Sequence, residues 1–316
     1  MKPPGHRDRL RRQVHGDADD QARDLTAWRH RYRQLSPGHF RGEVEEMQWG
    51  PVLVYRERLN RAVMQCGTAC PDTVLVGSIV DMEGEGFYNG TSFDRPVLLA
   101  SRPGAAFEFR TPLAHEVLAF GVSRDTVESY LATVAGEGAA GLLARLPELG
   151  WDPGGARRLR EIFELAQTAP GHARAEHEIR ERVLAHLLDC CEREEEVAFP
   201  KIAASRYRVF RRADQYIQDH AGEAIGIETL CRVSHASRRT LQYCFEAVAG
   251  IGPLAYVRNV RLNGVRGDLR RRSDEPESIN EIAARWGFWH FSRFAEQYRE
   301  LFGELPSRTL QLARSA

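Results

Sequence analysis

The stretch GFWHFSRFAEQYRELFGELP, Gly287–Pro306, decides how this chain is read. Phe291, Phe294, Tyr298 and Leu301 recur at spacings of 3, 4 and 3, which predicts an amphipathic helix. Gly303 stands where a helix ends in a left-handed residue, and Pro306 stops any continuation. Upstream, Ser278 and Glu281 have the spacing of a capping box, and Ile279, Ile282, Ala283 and Trp286 form the apolar face of a short helix. Gly287 falls between the two runs, where a sharp turn needs positive φ. Helix, glycine turn and helix predict a helix-turn-helix unit. The polar positions near the start of its second helix are Ser292, Arg293, Glu296 and Gln297, with Phe291 at the helix start. They are placed to enter a major groove. Arg293 can pair with guanine and Gln297 with adenine, and Glu296 can accept from cytosine.

About 50 residues earlier the pattern repeats. Ile227, Leu230 and Cys231 make one short apolar face. A turn follows at VSHAS, and Leu241, Phe245 and Val248 make the next face, ended by Gly250. The exposed set here is Ser237, Arg238, Arg239, Gln242 and Tyr243. His235 takes the place of the turn glycine, and His is among the residues that tolerate left-handed backbone. Between the units, PLAYVRNVRLNGVRGDLRRR begins with Pro253, which suits a first helical position. About 20 helical residues make a rod of ~30 Å, close to the ~34 Å of one DNA turn. Such a rod can hold two reading helices in successive grooves. Gly264 and Gly267 weaken it by ~1 kcal/mol each relative to Ala, so tertiary packing must hold it. Arg266, Arg270, Arg271 and Arg272 along and beyond it are candidates for phosphate contact.

Charge supports an anionic partner at this end. The formal net charge is zero, but Lys201–Ala316 holds 19 basic and 13 acidic residues, a net of +6, and the rest is −6. The opening residues lack an apolar signal core, and no run of about 18 apolar residues occurs, which predicts a cytoplasmic protein with no membrane span. Six cysteines without scaffold spacing read as reduced thiols.

The remainder divides into three parts. Residues 1–38 are polar and read as an N-terminal arm or short helix. Residues 39–124 hold short β-branched and aromatic runs such as GPVLVYRERL and DTVLVGSIVD between turn clusters, which predicts a β-sandwich or small barrel. Residues 125–198 turn helical; in EIRERVLAHLLDCCEREEE the apolar face of Ile179, Val183, Leu184, Leu187 and Leu188 predicts a helix that closes over the β domain or pairs with a second copy. The charge run before Pro200 reads as a linker, and residues 199–316 form the all-α domain. The overall class is α+β.

IETLCRVSHASRRTLQYCFEAVAGIGPLAYVRNVRL and INEIAARWGFWHFSRFAEQYRELFGELPS resemble the two halves of the AraC/XylS-type DNA-binding domain. Ser237, Leu241, Phe245, Gly250, Pro253, Tyr256, Arg261 and Leu262 carry the likeness in the first half. Ile282, Ala283, Gly287, Phe288, Ser292, Phe294, Tyr298, Gly303 and Pro306 carry it in the second. The resemblance implies a regulator of transcription, an activator working as a homodimer with RNA polymerase on double-stranded promoter DNA. It also implies a cupin-like N-terminal barrel that senses a small effector, followed by a helical dimerisation segment. Three departures stand out: His235 for glycine, Gly264 where alanine is common, and Trp289-His290 for a polar pair, which leaves the second reading helix without an evident N-cap.

For the effector, Arg56, Arg58 and Arg102 are candidates to hold an anion, with His115 a candidate pocket residue. No His-x-His occurs in the barrel region, and no GxGxxG, P-loop, HExxH or GxSxG occurs, so no metal, cofactor or enzymatic activity is expected. The competing reading is a DNA-binding module fused to a thiol alkyl acceptor for DNA repair. It needs a cysteine made into a thiolate, and Cys66 and Cys70 lack further ligands.

Overall fold

The computed structural model describes residues 10–25, 28–134, 139–152, 154–169, 173–192, 198–271 and 277–315. Its N-terminal elements are β1 (Leu10–His15), α1 (Ala18–Asp24), β2 (Trp28–Gln34), β3 (Gly42–Trp49), β4 (Val52–Leu59), β5 (Val63–Ala69), β6 (Thr73–Glu83), β7 (Gly86–Tyr88), β8 (Thr91–Phe93), β9 (Leu98–Ser101), β10 (Ala106–Arg110) and β11 (Ala114–Ser123). Then come α2 (Arg124–Val134), α3 (Ala139–Arg145), β12 (Leu149–Gly150), α4 (Gly155–Thr168) and α5 (Ala173–Glu192). The strands form two antiparallel sheets, in the orders β1-β3-β4-β11-β6-β9-β12 and β2-β5-β10-β7-β8. Of the two expected forms, sandwich or small barrel, the strands make an open sandwich of two sheets. Alternation along each strand sends one set of side chains between the sheets, among them Tyr32, Val44, Tyr55, Phe107, Phe109 and Val117. The other set from the larger sheet, including Val54, Val76 and Phe120, packs under α4 and α5. Gly77 allows close pairing there, since a Cβ would stand 2.7 Å from that of Ala119.

Two expectations change here. Residues 10–34 are not a separate arm but supply β1, α1 and β2. Polar composition concealed this because β1 is an edge strand held by charge: Arg12 pairs with Glu43 and Glu45, and Arg11 with Asp24. The apolar stripe of α5 is also already covered. Ile179, Val183, Leu184 and Leu187 are buried against α4 and the larger sheet, so that stripe is not free to pair with a second copy.

The C-terminal elements are α6 (Ala204–Asp219), α7 (Ile227–Ser234), α8 (Arg238–Ala249), α9 (Pro253–Arg270), α10 (Ile279–Arg285), α11 (Phe291–Phe302) and α12 (Pro306–Ser315). Phe210, Phe245 and Tyr256 stack edge to face in the centre of the first unit. That core continues into the sandwich through Leu35, Met64 and Phe87. Leu262, Val265, Leu269, Ile282, Phe294, Tyr298 and Phe302 make the separate core of the second unit. α9 runs through both as the expected rod, 18 residues or about 27 Å long. Gly264 has a specific use: a Cβ there would meet the Trp286 ring at 2.3 Å. The ring fills that space and donates from Nε1 to Asp268 at 2.7 Å.

Candidate nucleic-acid interface

Each helix pair is shaped by its caps. In the first, α7 ends at His235, whose φ of 53° and ψ of 44° are the left-handed geometry expected from the sequence. Ser237 then caps α8, its Oγ accepting from the Thr240 amide at 3.1 Å, and Gly250 ends the helix at φ 71°. In the second, the capping box forms in both directions: Ser278 Oγ accepts from the Glu281 amide at 3.2 Å, and the Ser278 amide donates to Glu281 at 2.8 Å. Gly287 turns at φ 78°, and Gly303 ends α11 at φ 73°. His290 sits at the N-cap of α11 and makes no side-chain cap bond, so the departure noted at Trp289-His290 has a structural counterpart.

These caps leave two polar faces outward. On α8, Arg238, Arg239, Gln242 and Tyr243 are exposed above buried Leu241, Phe245 and Val248, with Ser237 exposed at the cap. Arg238 pairs with Glu228 at 2.7 Å, Gln242 donates to Glu246 at 2.7 Å, and Arg206 lies over the Tyr243 ring at 4.6 Å. Arg239 has no ion pair or hydrogen bond among the described residues. On α11, Ser292, Arg293 and Glu296 are exposed and Gln297 is half-buried, over buried Phe294, Tyr298 and Leu301. Phe291 is 39 % exposed and Trp289 73 %, so both rings belong to the outer surface. Trp289, His290, Arg293 and Gln297 share a groove with Arg258 and Arg261 of α9. The sequence reading passed over Arg206, Arg232 and Arg258. Their signal is position: each is a basic residue on or beside a helix that flanks a reading helix.

The phosphate candidates separate. Arg266 is buried; its Nε pairs with Asp17, and its Nη1 pairs with Glu304 at 2.9 Å and lies 3.4 Å from the Tyr298 hydroxyl. Arg270 pairs with Asp20 and, at 3.6 Å, with Asp17. Both tie α9 to the sandwich: Arg266 is buried away from any phosphate, which corrects the expectation for it, and half-buried Arg270 is already engaged by two carboxylates. Arg271 keeps an exposed side chain, paired with Asp268 at 3.1 Å. Arg272 lies outside the described residues.

The effector candidates fare less well. Arg56 points to the outer face of the larger sheet, 2.7 Å from Glu45 and over the Phe163 ring. Arg58 pairs with Glu116 at 2.7 Å, and Arg102 donates to the carbonyls of Ala144 and Leu146. His115 is buried against the edge of Phe109 with neither ring nitrogen hydrogen-bonded, and burial pushes its pKa down to about 3. None of the four lines the cavity between the sheets. That cavity, about 60 Å³, is walled by Trp28, Tyr32, Tyr55, Tyr88, Phe107 and Phe109, and its polar groups include His30, Glu57 and Gln65. Alternation explains the miss: Arg56 and Arg58 flank Glu57 on β4, so if Glu57 faces in, they face out.

Asp152, just before α4, and His186 and Cys190 on α5 are buried with ligand atoms within 4.8 Å of one another. Arg158 sits among them, donating to Asp152 at 2.9 Å and to His186 Nδ1 at 3.1 Å. Its guanidinium already supplies the positive charge that this cluster balances. Burial pushes the Cys66 thiol up to about 11, away from the thiolate an alkyl acceptor needs, although Arg33 lies 3.8 Å from the sulfur.

Residues 230–312 match a family model described as a helix-turn-helix domain. Over 103 residues the chain is 42% identical to the XylDLEGF operon transcriptional activator 2 of Pseudomonas putida, covering 33% of this chain and 66% of that protein. It is also 32% identical to a solved structure, a probable AraC family transcriptional regulator from Rhodopseudomonas palustris CGA009, over 33% of this chain and 96% of that one, with a TM-score of 0.31. The chain belongs to the AraC/XylS family. A second Pseudomonas putida relative, the XylDLEGF operon transcriptional activator, is 43% identical over 102 residues, which cover 32% of each chain. The matches to these activators thus span from about a third to just under two thirds of their length. Among the described residues, no helix is long and apolar enough to cross a membrane.

Proposed function

We propose that this AraC/XylS member is a sequence-specific, double-stranded DNA-binding activator of transcription that responds to a small effector and carries out no enzymatic reaction. The observation that carries this reading is the pair of helix-turn-helix units on one helix, each turning the N-terminal polar face of its second helix outward. Arg239 and Arg293 both lie in the exposed first turn of their helices, α8 and α11, and an arginine free of protein partners is suited to bidentate contact with guanine. Arg271 serves a phosphate. Residues 199–316 form the DNA-binding unit and residues 39–124, with 10–34 added, the sensor; residues 125–198 cover it. The protein acts in the cytoplasm as a homodimer with RNA polymerase, and pairing uses a surface other than the buried stripe of α5.

The test is selection of bound sequences from a random duplex pool with the full chain. The expected result is two short motifs about one helical turn apart. An enriched pool without a shared motif sinks the proposal. Methyl transfer to a cysteine from alkylated DNA, detected by mass spectrometry, would support the repair reading instead.

A further inference from the structure

The cavity between the sheets has an unusual wall. Six aromatic rings surround it: Trp28 meets Tyr55 at 4.8 Å edge to face, Tyr88 meets Phe109 at 5.9 Å, and Tyr32 and Phe107 flank the His30 ring. The charged side chain among the described residues that line it is an acid, Glu57, which is 5 % exposed. Glu57 has no cation beside it. Gln21 donates to its Oε1 at 3.0 Å and the Tyr32 hydroxyl at 2.8 Å, both to the same oxygen. Gln65 stands close to the carboxyl, yet its amide nitrogen makes no hydrogen bond of good geometry. A buried carboxylate without a counter-charge is costly, and that cost falls when a cation arrives.

His30 adds a second acceptor. Burial pushes its pKa down to about 4, so the ring is neutral at physiological pH. Its Nε2 lies 3.1 Å from the Ala22 carbonyl, which places the proton there. Nδ1 is then a lone-pair acceptor, and it has no partner. Ring faces, a carboxyl that has neutral donors but no cation beside it and a free acceptor all favour positive charge, and cations over several rings are held by their quadrupoles. An anion would meet no basic group on any described side of the cavity.

We infer that this cavity binds a small organic ammonium, its charge paired with Glu57 and its carbons against the six rings. The inference rests on the effector reading above and replaces the anionic effector expected from the sequence. A volume of about 60 Å³ holds only a few waters, so the ligand is small and the rings move apart to admit its alkyl part.

The test uses the full chain and three probes of equal length: propylammonium, propanol and propionate, titrated by calorimetry. Propylammonium should bind at least about tenfold more tightly than propanol, with no saturable heat from propionate. Glu57→Gln keeps an acceptor for Gln21 and Tyr32 and should erase the preference for the cation. Trp28→Leu, at the half-buried edge of the wall, should weaken propylammonium more than propanol; both variants are checked for an unchanged circular dichroism spectrum. Propionate or propanol binding as well as propylammonium, no heat from propylammonium, or a preference that survives Glu57→Gln overturns the inference. Affinity for the selected DNA, measured with and without propylammonium, separates the two ideas. Binding that leaves DNA affinity unchanged sinks the effector reading and keeps the site. A dead cavity in a protein that still selects its DNA sinks the site and keeps the regulator.

Discussion

The two helix-turn-helix units share a pattern but are anchored to the sandwich by different forces. The first is joined through a shared apolar core, in which Leu35, Met64 and Phe87 pack with Phe210 and Phe245, and through polar contacts such as Arg110 donating to the Val248 carbonyl at 3.0 Å. The second is joined through polar groups. Gln34 donates from Nε2 to the Leu301 carbonyl at 2.6 Å, the Gly38 amide donates to the Glu300 carbonyl at 3.0 Å, and Arg266 binds Asp17 and Glu304. Apolar contact tolerates small shifts, whereas hydrogen bonds and ion pairs hold one geometry and depend on protonation. Among the described residues the core of the second unit includes no sandwich residue, so its attachment leans more on fixed polar geometry than that of the first, with Asp17 and Asp20 acting through α9.

The largest expected effect tests that contrast. Arg266→Ala leaves buried Asp17 with only Arg270 at 3.6 Å and half-buried Glu304 without its cation, and should cost about 3–5 kcal/mol in chemical denaturation. A loss below 1 kcal/mol would mean that the polar anchor is inert. Acid should act on the same contact. Burial alone would raise the Asp17 carboxyl, but Arg266 and Arg270 outweigh it and hold the group below its ordinary 3.8. A depressed acid stabilises above its unfolded pKa, so that stability disappears as pH falls below about 3.8. Asp19 nearby is held up to about 6, by burial first and by Asp17 second, so its protonation on the way down opposes the loss. Denaturation midpoints should accordingly rise as pH falls from 6 to 4 and then drop, and the acid branch should be shallower in Arg266→Ala.

DNA contact gives the next effect. Arg293→Ala and Arg239→Ala should each cost about 1–3 kcal/mol and relax base preference in only one of the two motifs. Loss of preference in both motifs from either change would show that the units do not read independently. Arg271→Ala should weaken all sequences alike and reduce the salt slope by about one.

The turns supply a smaller pair of effects. Gly287→Ala puts a Cβ 3.1 Å from the Gly222 carbonyl at positive φ and should cost about 1–2 kcal/mol. His235→Gly relieves the same backbone strain in the first unit and should gain about 1 kcal/mol in melting experiments. Smallest is His290→Ser, which supplies the missing N-cap of α11 and should stabilise by about 0.5–1 kcal/mol.

Much of the C-terminal domain was legible because its signals are local. A capping box, a left-handed turn and a spacing of 3 and 4 each involve residues within one or two turns, and Ser278, Gly287 and Phe294 carry them directly. Arg266 shows the limit: on sequence it equals Arg271, yet one is buried and one exposed, because Asp17 arrives from 249 positions away. The cavity was missed for a related reason. Arg56, Glu57 and Arg58 are three adjacent charged residues, and only the fold shows that Glu57 is the one that lines the cavity.

Local periodicity and capping thus determined, from the sequence alone, that this chain ends in two helix-turn-helix units with named outward faces. The tertiary structure decided which charged groups are spent on holding the molecule together and which remain for a partner. Helical pattern and caps depend on backbone hydrogen bonds a few residues apart. The fate of a charge depends on what the fold places opposite it, and for Arg266 and Glu57 those neighbours come from distant parts of the chain.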